Sequence, residues 1–233
     1  MARIPPILVC LPGLDGTGTL FDDFLAEVAL GWERIVVRYP PHLSSYDDLV
    51  PVVEAAMPEW PRVILIAESF STPIAIKIAA RASGNLQGLV LCAGFASSPL
   101  RGVTRFLASA IAPILFKREP SESAVKFFLT GRDSPKHLTT AVREAVRRVP
   151  PAVLAGRLKQ VLSCDVRAEL SNIYRPILCV RAKRDRLVRS ACTQEILRVS
   201  RDARLVEFDG PHLILQRQPR LCEQAIADFI HDL

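Results

Sequence analysis

The sequence lacks any uninterrupted apolar stretch long enough to cross a bilayer, although its mean hydropathy of +0.22 is high for a soluble protein. A spanning helix needs ~20 apolar residues. The longest uncharged stretch with helical character runs from Phe106 to Phe116 and is interrupted by Pro113. We therefore expect no membrane span. We also expect no signal peptide, because the apolar run after Arg3 leads into Pro12-Gly13 and not into a small-residue cleavage site.

Signals for metal binding and for disulfides are missing as well. The 6 cysteines include no C-x-x-C pair, and the 4 histidines form no cluster with ligand spacing. Cys10, Cys92 and Cys179 lie inside apolar, strand-like runs, where a free cysteine behaves as a small hydrophobic residue. We expect reduced cysteines, no metal site and a cytoplasmic protein.

Acidic residues are scarce in one internal region, between residues 97 and 170. This region carries 13 Lys or Arg and 6 Asp or Glu, a net charge of +7 in a chain whose total is +6. Such an asymmetry can attract an anionic ligand, an acidic protein or a membrane surface. A solvated basic face that aids solubility is the simpler interpretation, and the sequence leaves the choice open.

Strand-like and helix-like segments alternate along most of the chain. The expected strands cover residues 3–11, 34–38, 62–68, 86–93, 176–182 and 205–208. The expected helices between and after them cover residues 20–30, 45–57, a segment that ends near 82, 191–199 and 219–230. This alternation predicts an α/β fold with a mostly parallel six-stranded sheet and helices on both faces.

The alternation stops between residues 97 and 172, where no convincing strand is found. Helical patterns cover residues 121–130 and the segment opened by Ser134-Pro135, which has an apolar stripe at i, i+3 and i+4 spacing. We interpret residues 1–96 and 173–233 as an α/β core domain. Residues 97–172 are interpreted as a helical cap, or lid, inserted after the fourth strand.

The segment that follows the third expected strand has the layout of a nucleophile elbow. A run of apolar β-formers ends in Ala67-Glu68-Ser69-Phe70-Ser71, and helical periodicity begins at once. In such an elbow the serine hydroxyl is exposed on a strained turn, which requires small residues two before and two after it. Ala67 and Ser71 are small, although the usual motif has glycine there. The alternative is an ordinary turn with Ser69 as a helix N-cap.

A serine nucleophile needs a base and a carboxylate that orients the base. His212 follows the sixth strand and Asp185 follows the fifth, so both lie where a parallel sheet places its functional loops. Asp209 is a rival acid only three residues before His212, and Asp165 is a weaker rival. The arginines on either side of Asp185 leave a surface salt bridge as the alternative for that residue.

An oxyanion hole needs two backbone amides directed at one point. The amide of Phe70, next to the serine, is one candidate, and that of Leu14 is the other. Leu14 lies in the glycine-rich loop after the first strand, where Gly13 and Asp15 are expected to contact substrate. The glycine spacing is G-x-x-G-x-G and no acid ends the second strand, which argues against a dinucleotide site. We therefore expect no nucleotide cofactor and no nucleic-acid partner.

The glycine loop, the elbow, the Asp185 loop and the His212 loop, in this order, resemble the α/β-hydrolase family over nearly the whole chain. The chain resembles a member with a minimal sheet, because the family's first two strands have no counterpart. The resemblance implies catalysis by Ser69, His212 and Asp185, with the amides of Leu14 and Phe70 as oxyanion hole and no cofactor.

On this basis the expected function is that of a serine carboxylesterase acting on a small-molecule ester. Phe106 and Phe127 are candidate contacts for an acyl chain, although apolar cap residues can equally form the core of the cap. The acyl and alcohol specificity and the oligomeric state stay open. So does the chemistry, because the same triad serves thioesterases, acyltransferases and C–C bond hydrolases or lyases of the family.

Two alternatives remain at this stage. Some esterases of the family dock an acidic acyl carrier protein on a basic cap, which would make this chain a hydrolase of carrier-linked esters or thioesters. The candidate docking residues are Arg143, Arg147, Arg148, Arg157 and Lys159. The other alternative is a non-catalytic ligand-binding protein. Glu68, next to the nucleophile, has no role that the sequence assigns.

Overall fold

The computed structural model describes residues 5–29, 31–60, 62–81 and 84–233. The expected element ends at residues 3, 30 and 82 lie outside the described residues. The strands are β1 (Ile7–Leu11), β2 (Arg34–Val36), β3 (Val63–Glu68), β4 (Leu86–Cys92), β5 (Ile177–Ala182) and β6 (Ala203–Phe208). They form a sheet in the order β2-β1-β3-β4-β5-β6, and every neighbouring pair is parallel. The prediction of a parallel six-stranded α/β sheet is confirmed.

Helices connect the strands and precede the carboxyl terminus. They are α1 (Asp22–Glu27), α2 (Tyr46–Ala56), α3 (Thr72–Ala80), α4 (Gly102–Leu115), α5 (Glu122–Val125), α6 (Lys136–Arg147), α7 (Pro151–Ser163), α8 (Arg167–Ser171), α9 (Ser190–Val199), α10 (Ile214–Arg217) and α11 (Pro219–His231). Ser45 caps α2 as expected, because its hydroxyl accepts hydrogen bonds from the amides of Asp47 and Asp48.

The sheet is buried on both faces, which explains why its central strands read as continuous apolar runs. Alternate side chains of a strand point to opposite faces. Val9 and Leu65 lie in the core shared with α2, α3 and α9, whereas Cys10 and Ile66 lie in the core shared with α1 and α11. The carboxyl ends of all strands therefore meet at one edge, between two layers of helices.

The segment between β4 and β5 contains α4 to α8 and a single π-helical turn at Lys126–Thr130. An antiparallel bridge joins Ser97 to Asp165, where this segment leaves and rejoins the sheet layers. The residues after α7 return to the sheet, because Val166 and Leu170 belong to one of its two cores. The sequence pattern does not single out α7 and α8. The division into a core domain and a cap of residues 97–172 stays a prediction.

No helix in the described ranges has both the length and the apolar character needed to cross a bilayer. All six cysteines are buried and unpaired. The expected cytoplasmic location stays a prediction.

Candidate active site

Ser69 lies on a sharp turn between a buried strand and a helix. β3 ends at Glu68, a 3₁₀ turn covers Ser69–Ser71, and α3 follows at once. The backbone φ of Ser69 is 49°, a value that residues other than glycine rarely adopt and that stores local strain. The hydroxyl caps neither the turn nor α3. The N-cap interpretation of Ser69 is therefore wrong, and the conformation is that of a nucleophile elbow.

The structure brings Ser69, His212 and Asp185 into one hydrogen-bonded chain. Nε2 of His212 lies 2.9 Å from Oγ of Ser69, and Nδ1 lies 2.8 Å from Oδ2 of Asp185. A carboxylate only accepts hydrogen bonds, so Nδ1 carries the ring proton of the neutral imidazole and Nε2 is free to accept the serine proton. This is the tautomer that a general base requires.

Asp185 is fixed in place by its own loop. Its Oδ1 accepts the amides of Leu187 at 2.8 Å and Val188 at 2.9 Å, which leaves Oδ2 for His212. His212 is buried, which alone would lower its pKa. The charge of Asp185 and the hydrogen bond from Nδ1 outweigh this desolvation and raise the pKa of His212 above 6.5. Asp185 thus both orients the ring and stabilises the imidazolium form.

The rival acids are bound elsewhere. Asp209 is exposed and pairs with Arg184 at 2.8 Å, and Asp165 pairs with Arg167 at 2.6 Å. The second arginine beside Asp185, Arg186, lies over the ring of Phe127 at 3.9 Å from its centroid. Neither arginine is paired with Asp185, so the alternative of a surface salt bridge for Asp185 is wrong.

The candidate oxyanion amides belong to loops that follow two neighbouring strands. β1 and β3 are paired up to Leu11 and Ala67, so Leu14 and Phe70 come directly after adjacent strand ends. Within the described part of the chain, the amide of Leu14 donates to no backbone carbonyl. Phe70 lies in the first turn of a 3₁₀ segment, where backbone amides have no partner inside the turn. Both are therefore available to an oxyanion, and their role as oxyanion hole stays a prediction.

Ser71, which replaces an elbow glycine, connects the two loops. Its hydroxyl donates to the carbonyl of Pro12, and its oxygen lies 2.6 Å from the hydroxyl of Tyr39. Because Ser71 has one proton, which goes to Pro12, Tyr39 is the donor of the second bond. Sequence reasoning missed this role. The sequence did contain a signal for this contact, because Ser71 adds a hydroxyl at a position where the motif requires only a small residue.

Arg157 is a second residue that sequence reasoning placed wrongly. It was predicted to lie on a basic docking face, but it is fully buried. Its guanidinium donates to the carbonyls of Leu14 at 3.0 Å and Asp15 at 2.8 Å. It also donates to Pro40 at 3.2 Å and Leu43 at 3.1 Å. Arg157 therefore joins α7 to the loop that carries Leu14. Because it is buried, it cannot contact a carrier protein.

The loop after β1 is shaped around this arginine. Gly16 has φ of 71°, and a Cβ there would lie 2.5 Å from a guanidinium nitrogen of Arg157. Only glycine fits such a position without displacing its neighbour. The carboxylate of Asp15 accepts the amide of Thr17 at 2.8 Å, and a Cβ on Gly13 would meet Asp15 and Glu68 at 3.8 Å. Contact of Gly13 and Asp15 with substrate stays a prediction.

The two predicted aromatic contacts lie in different places. Phe127 is in the π-helical turn, where Arg186 donates to its carbonyl at 3.2 Å and so ties it to the loop of Asp185. Phe106 lies on α4, is 73% exposed and lines a cleft whose recorded lining includes none of the three hydrogen-bonded residues. Both roles in substrate binding stay predictions. Phe127 is the better placed of the two residues, because it is bound to the loop that carries Asp185.

Glu68 is a buried carboxyl behind the nucleophile. It is 1% exposed, and one of its oxygens accepts a hydrogen bond from the side-chain amide of Gln216 at 3.4 Å. One oxygen of each of these two side chains has no donor within the described residues. Burial raises the pKa of Glu68 to about 7, opposed by His212 and Gln216. When Glu68 is protonated, its carboxyl group supplies one hydrogen-bond donor to this pair of side chains, whose two unpartnered oxygens can otherwise only accept.

This burial makes stability depend on pH in a defined direction. The pKa of Glu68 rises from 4.5 to about 7 on folding, so the folded state retains a proton that the unfolded chain loses between these values. The contribution of Glu68 to the free energy of unfolding is therefore fully present below pH 4.5, and it is lost as the pH rises to and through 7. We expect Glu68→Gln to gain about 2.5 kcal/mol in unfolding free energy over the parent between pH 5 and pH 8.

Urea unfolding at both pH values measures this difference. Glu59→Gln, which neutralises an exposed carboxylate, is the matched control and should differ from the parent by the same amount at pH 5 and pH 8. A difference between Glu68→Gln and the parent that does not grow with pH would show that Glu68 is ionised in the folded protein at pH 5.

Comparison with known proteins shows similarity in structure. No protein-family model and no curated protein matches the sequence. A hydrolase from Oleispira antarctica is 14% identical with a TM-score of 0.83, and the match covers 100% of this chain and 93% of that chain. The enol-lactonase from Burkholderia xenovorans is 16% identical with a TM-score of 0.79, covering 97% and 92%. A hydrolase from Pseudomonas aeruginosa is 23% identical with a TM-score of 0.77, covering 98% and 91%.

The protein is therefore a doubly wound α/β protein with a fully parallel sheet. Within that class it has the α/β-hydrolase fold, as the resemblance of its motifs predicted. At these identities the likeness concerns the fold.

Proposed function

We propose that the protein is a serine carboxylesterase in which Ser69 is the nucleophile. The observation that carries this proposal is the chain of hydrogen bonds from Ser69 through His212 to Asp185, on a serine with φ of 49°. A strained serine paired to the unprotonated nitrogen of an oriented histidine is the arrangement that activates a hydroxyl for attack.

The proposed reaction assigns one role to each of these groups. Oγ of Ser69 attacks the ester carbonyl while Nε2 of His212 takes its proton. The amides of Leu14 and Phe70 donate to the developing oxyanion, and Asp185 stabilises the imidazolium. His212 then protonates the departing alkoxide, which leaves as an alcohol. Water, deprotonated by His212, cleaves the acyl-enzyme and restores Ser69, so no cofactor takes part.

Proteins with similar folds support hydrolysis as the class of reaction. Besides the two hydrolases and the enol-lactonase, they include a putative lipase from Acinetobacter baumannii, 14% identical with a TM-score of 0.82. Proteins of this fold include an enol-lactonase, a deformylase and a lipase, so the fold alone does not choose the substrate. A Ser-His-Asp arrangement can cleave esters, thioesters and amides, so the choice of carboxylic esters is the part of the proposal that substrate panels test.

A panel of p-nitrophenyl esters with acyl chains of two to sixteen carbons tests the proposal. We expect hydrolysis that depends on chain length, together with stoichiometric labelling by a fluorophosphonate at Ser69. Labelling without hydrolysis of any ester would leave an activated serine but contradict the esterase, and thioester and amide panels would follow. Absence of both would identify a non-catalytic binding protein and overturn the proposal.

A further inference from the structure

Helix α4 exposes an unusual row of large apolar side chains. Six of them are between 52% and 74% exposed: Val103, Phe106, Leu107, Ile111, Ile114 and Leu115. Their spacing of three and four residues places them along one side of the helix. Ala112, on the other side, is buried, and α4 packs on α7. The small residue faces the protein and the large ones face outward, the reverse of an ordinary surface helix.

The surroundings of this row are positively charged. Residues 98–118 contain Arg101, Arg105, Lys117 and Arg118 and no acidic residue. Arg101 lies 3.7 Å from Glu195, whereas the other three have no ion pair within the described ranges. Arg101 precedes α4 and Lys117 and Arg118 follow it, whereas Arg105 lies in its first turn. Cations therefore lie at both ends of the apolar row.

A cleft between α4 and α7 adds a place for an anion. Its volume is about 470 Å³, and Arg105, Lys159 and Ser109 contribute two cations and a hydroxyl to its lining. The hydroxyl of Ser163 also lines the cleft, but it donates to the carbonyl of Lys159 at 2.9 Å. Phe106, from the apolar row, lines the same cleft, and none of the lining residues is acidic. Two cations and a hydroxyl beside an apolar side chain match a phosphate group joined to acyl chains.

We propose that α4 docks on the surface of a bilayer that contains anionic phospholipid, with a headgroup phosphate in the cleft of Arg105 and Lys159. Apolar side chains that enter the interface and cations that meet anionic headgroups are the two contributions that hold a helix in this position. A second copy of the chain fits less well, because α4 against α4 would bring the same cations face to face. The residues of this surface do not include Ser69, His212 or Asp185, so vesicle binding and ester hydrolysis are measured independently and the failure of one proposal is distinguishable from the failure of the other.

Vesicle co-sedimentation tests the proposal. We expect the protein to bind vesicles of phosphatidylcholine with 30% phosphatidylglycerol at least tenfold more tightly than pure phosphatidylcholine, and 0.5 M NaCl to weaken binding to the anionic vesicles. Ser69→Ala should bind as the parent does. Equal binding to both vesicle types, or binding to neither, would overturn the proposal.

Matched variants locate the surface. Ile111→Ser with Ile114→Ser should weaken binding tenfold or more, whereas Trp60→Ser with Leu221→Ser, which removes two similarly exposed apolar side chains outside α4, should not. Arg105→Gln with Lys159→Gln should weaken binding to anionic vesicles more than Arg38→Gln with Arg198→Gln, which removes the same charge elsewhere. Thermal melting checks that each variant is folded.

Equal losses in the test and control pairs would show binding by general charge and hydrophobicity and contradict the proposed surface. Analytical ultracentrifugation supplies the remaining outcome. A dimer that Ile111→Ser with Ile114→Ser dissociates, without any binding to vesicles, would assign α4 to a second copy of the chain and overturn the proposal.

Discussion

Replacement of Ser69 by alanine is expected to lower kcat for ester hydrolysis by about 10⁶, because members of such a triad act as a unit. Among the described residues the hydroxyl has one hydrogen-bond partner, Nε2 of His212, so its removal takes away the attacking atom and leaves the other hydrogen bonds of the turn intact. Alanine keeps the Cβ, so the strain at φ of 49° is unchanged. Stability should therefore change little while activity falls to the background rate.

Initial rates with the best p-nitrophenyl ester, together with labelling by a fluorophosphonate, measure this loss. Ser171→Ala is the matched control, since it removes a hydroxyl that donates to the carbonyl of Ala168 within α8, and it should retain the parent rate. Hydrolysis by Ser69→Ala at the parent rate would exclude the proposed mechanism. A residual rate that tracks protein purity would indicate a contaminating esterase and is checked by a second preparation.

The order and type of the sheet elements could be predicted because their signals are local. Each central strand is buried on both faces, so its residues form an apolar run that ends where the strand ends, as Val63 to Ile66 do before Ser69. Parallel strands place their following loops at one edge, which allowed Asp185 and His212 to be paired across 27 residues of sequence. The predicted contact of these residues with Ser69 rests on that geometry.

The helices of the inserted segment were harder to predict for a physical reason. α4 is apolar on the side that faces outward, so its pattern does not separate a buried face from an exposed one. Outside the inserted segment, α10 was missed because it has four residues, fewer than two turns, and shows no periodicity. The chain around Cys164 and Val166 belongs to the sheet core although it lies inside the predicted cap, and only tertiary packing reveals this.

Contacts between distant residues explain the other omissions. Ser71 meets Pro12 across 59 residues, and Arg157 meets Leu14 across 143. For Arg157 a local signal did exist. It lies three residues after Leu154 and four before Val161, on the apolar side of α7, where a solvated cation is unexpected. Counting Arg157 with the other basic residues of the region led to the prediction of an exposed position, although the residue is buried.

Arg157 is expected to be the residue outside the triad whose replacement lowers activity most. Its guanidinium holds the carbonyls of Leu14 and Asp15, and so fixes the turn that presents the amide of Leu14. It also lies 5.9 Å from the ring centroid of Phe70, the other candidate oxyanion donor. Loss of one oxyanion donor lowers kcat by about 10²- to 10³-fold. We expect Arg157→Lys, which keeps the charge but not the planar fork of donors, to lower kcat by about 10²-fold.

Separate measurement of kcat and KM distinguishes this positioning role from a purely structural one. Because the oxyanion forms only in the transition state, kcat should fall while KM changes little. Arg143→Lys is the matched control, since Arg143 also donates to a backbone carbonyl of the inserted segment, that of Pro120, but does not contact the loop of Leu14. Arg157→Lys with a lowered Tm and a parental kcat, measured well below that Tm, would show that Arg157 supports the fold alone. Removal of the guanidinium also destabilises the fold, because a buried carbonyl left without its donor costs about 1–3 kcal/mol. The carbonyls that Arg157 contacts are those of Leu14, Asp15, Pro40 and Leu43. Lysine retains part of these bonds, so it is the substitution in which kcat can be read from a folded protein.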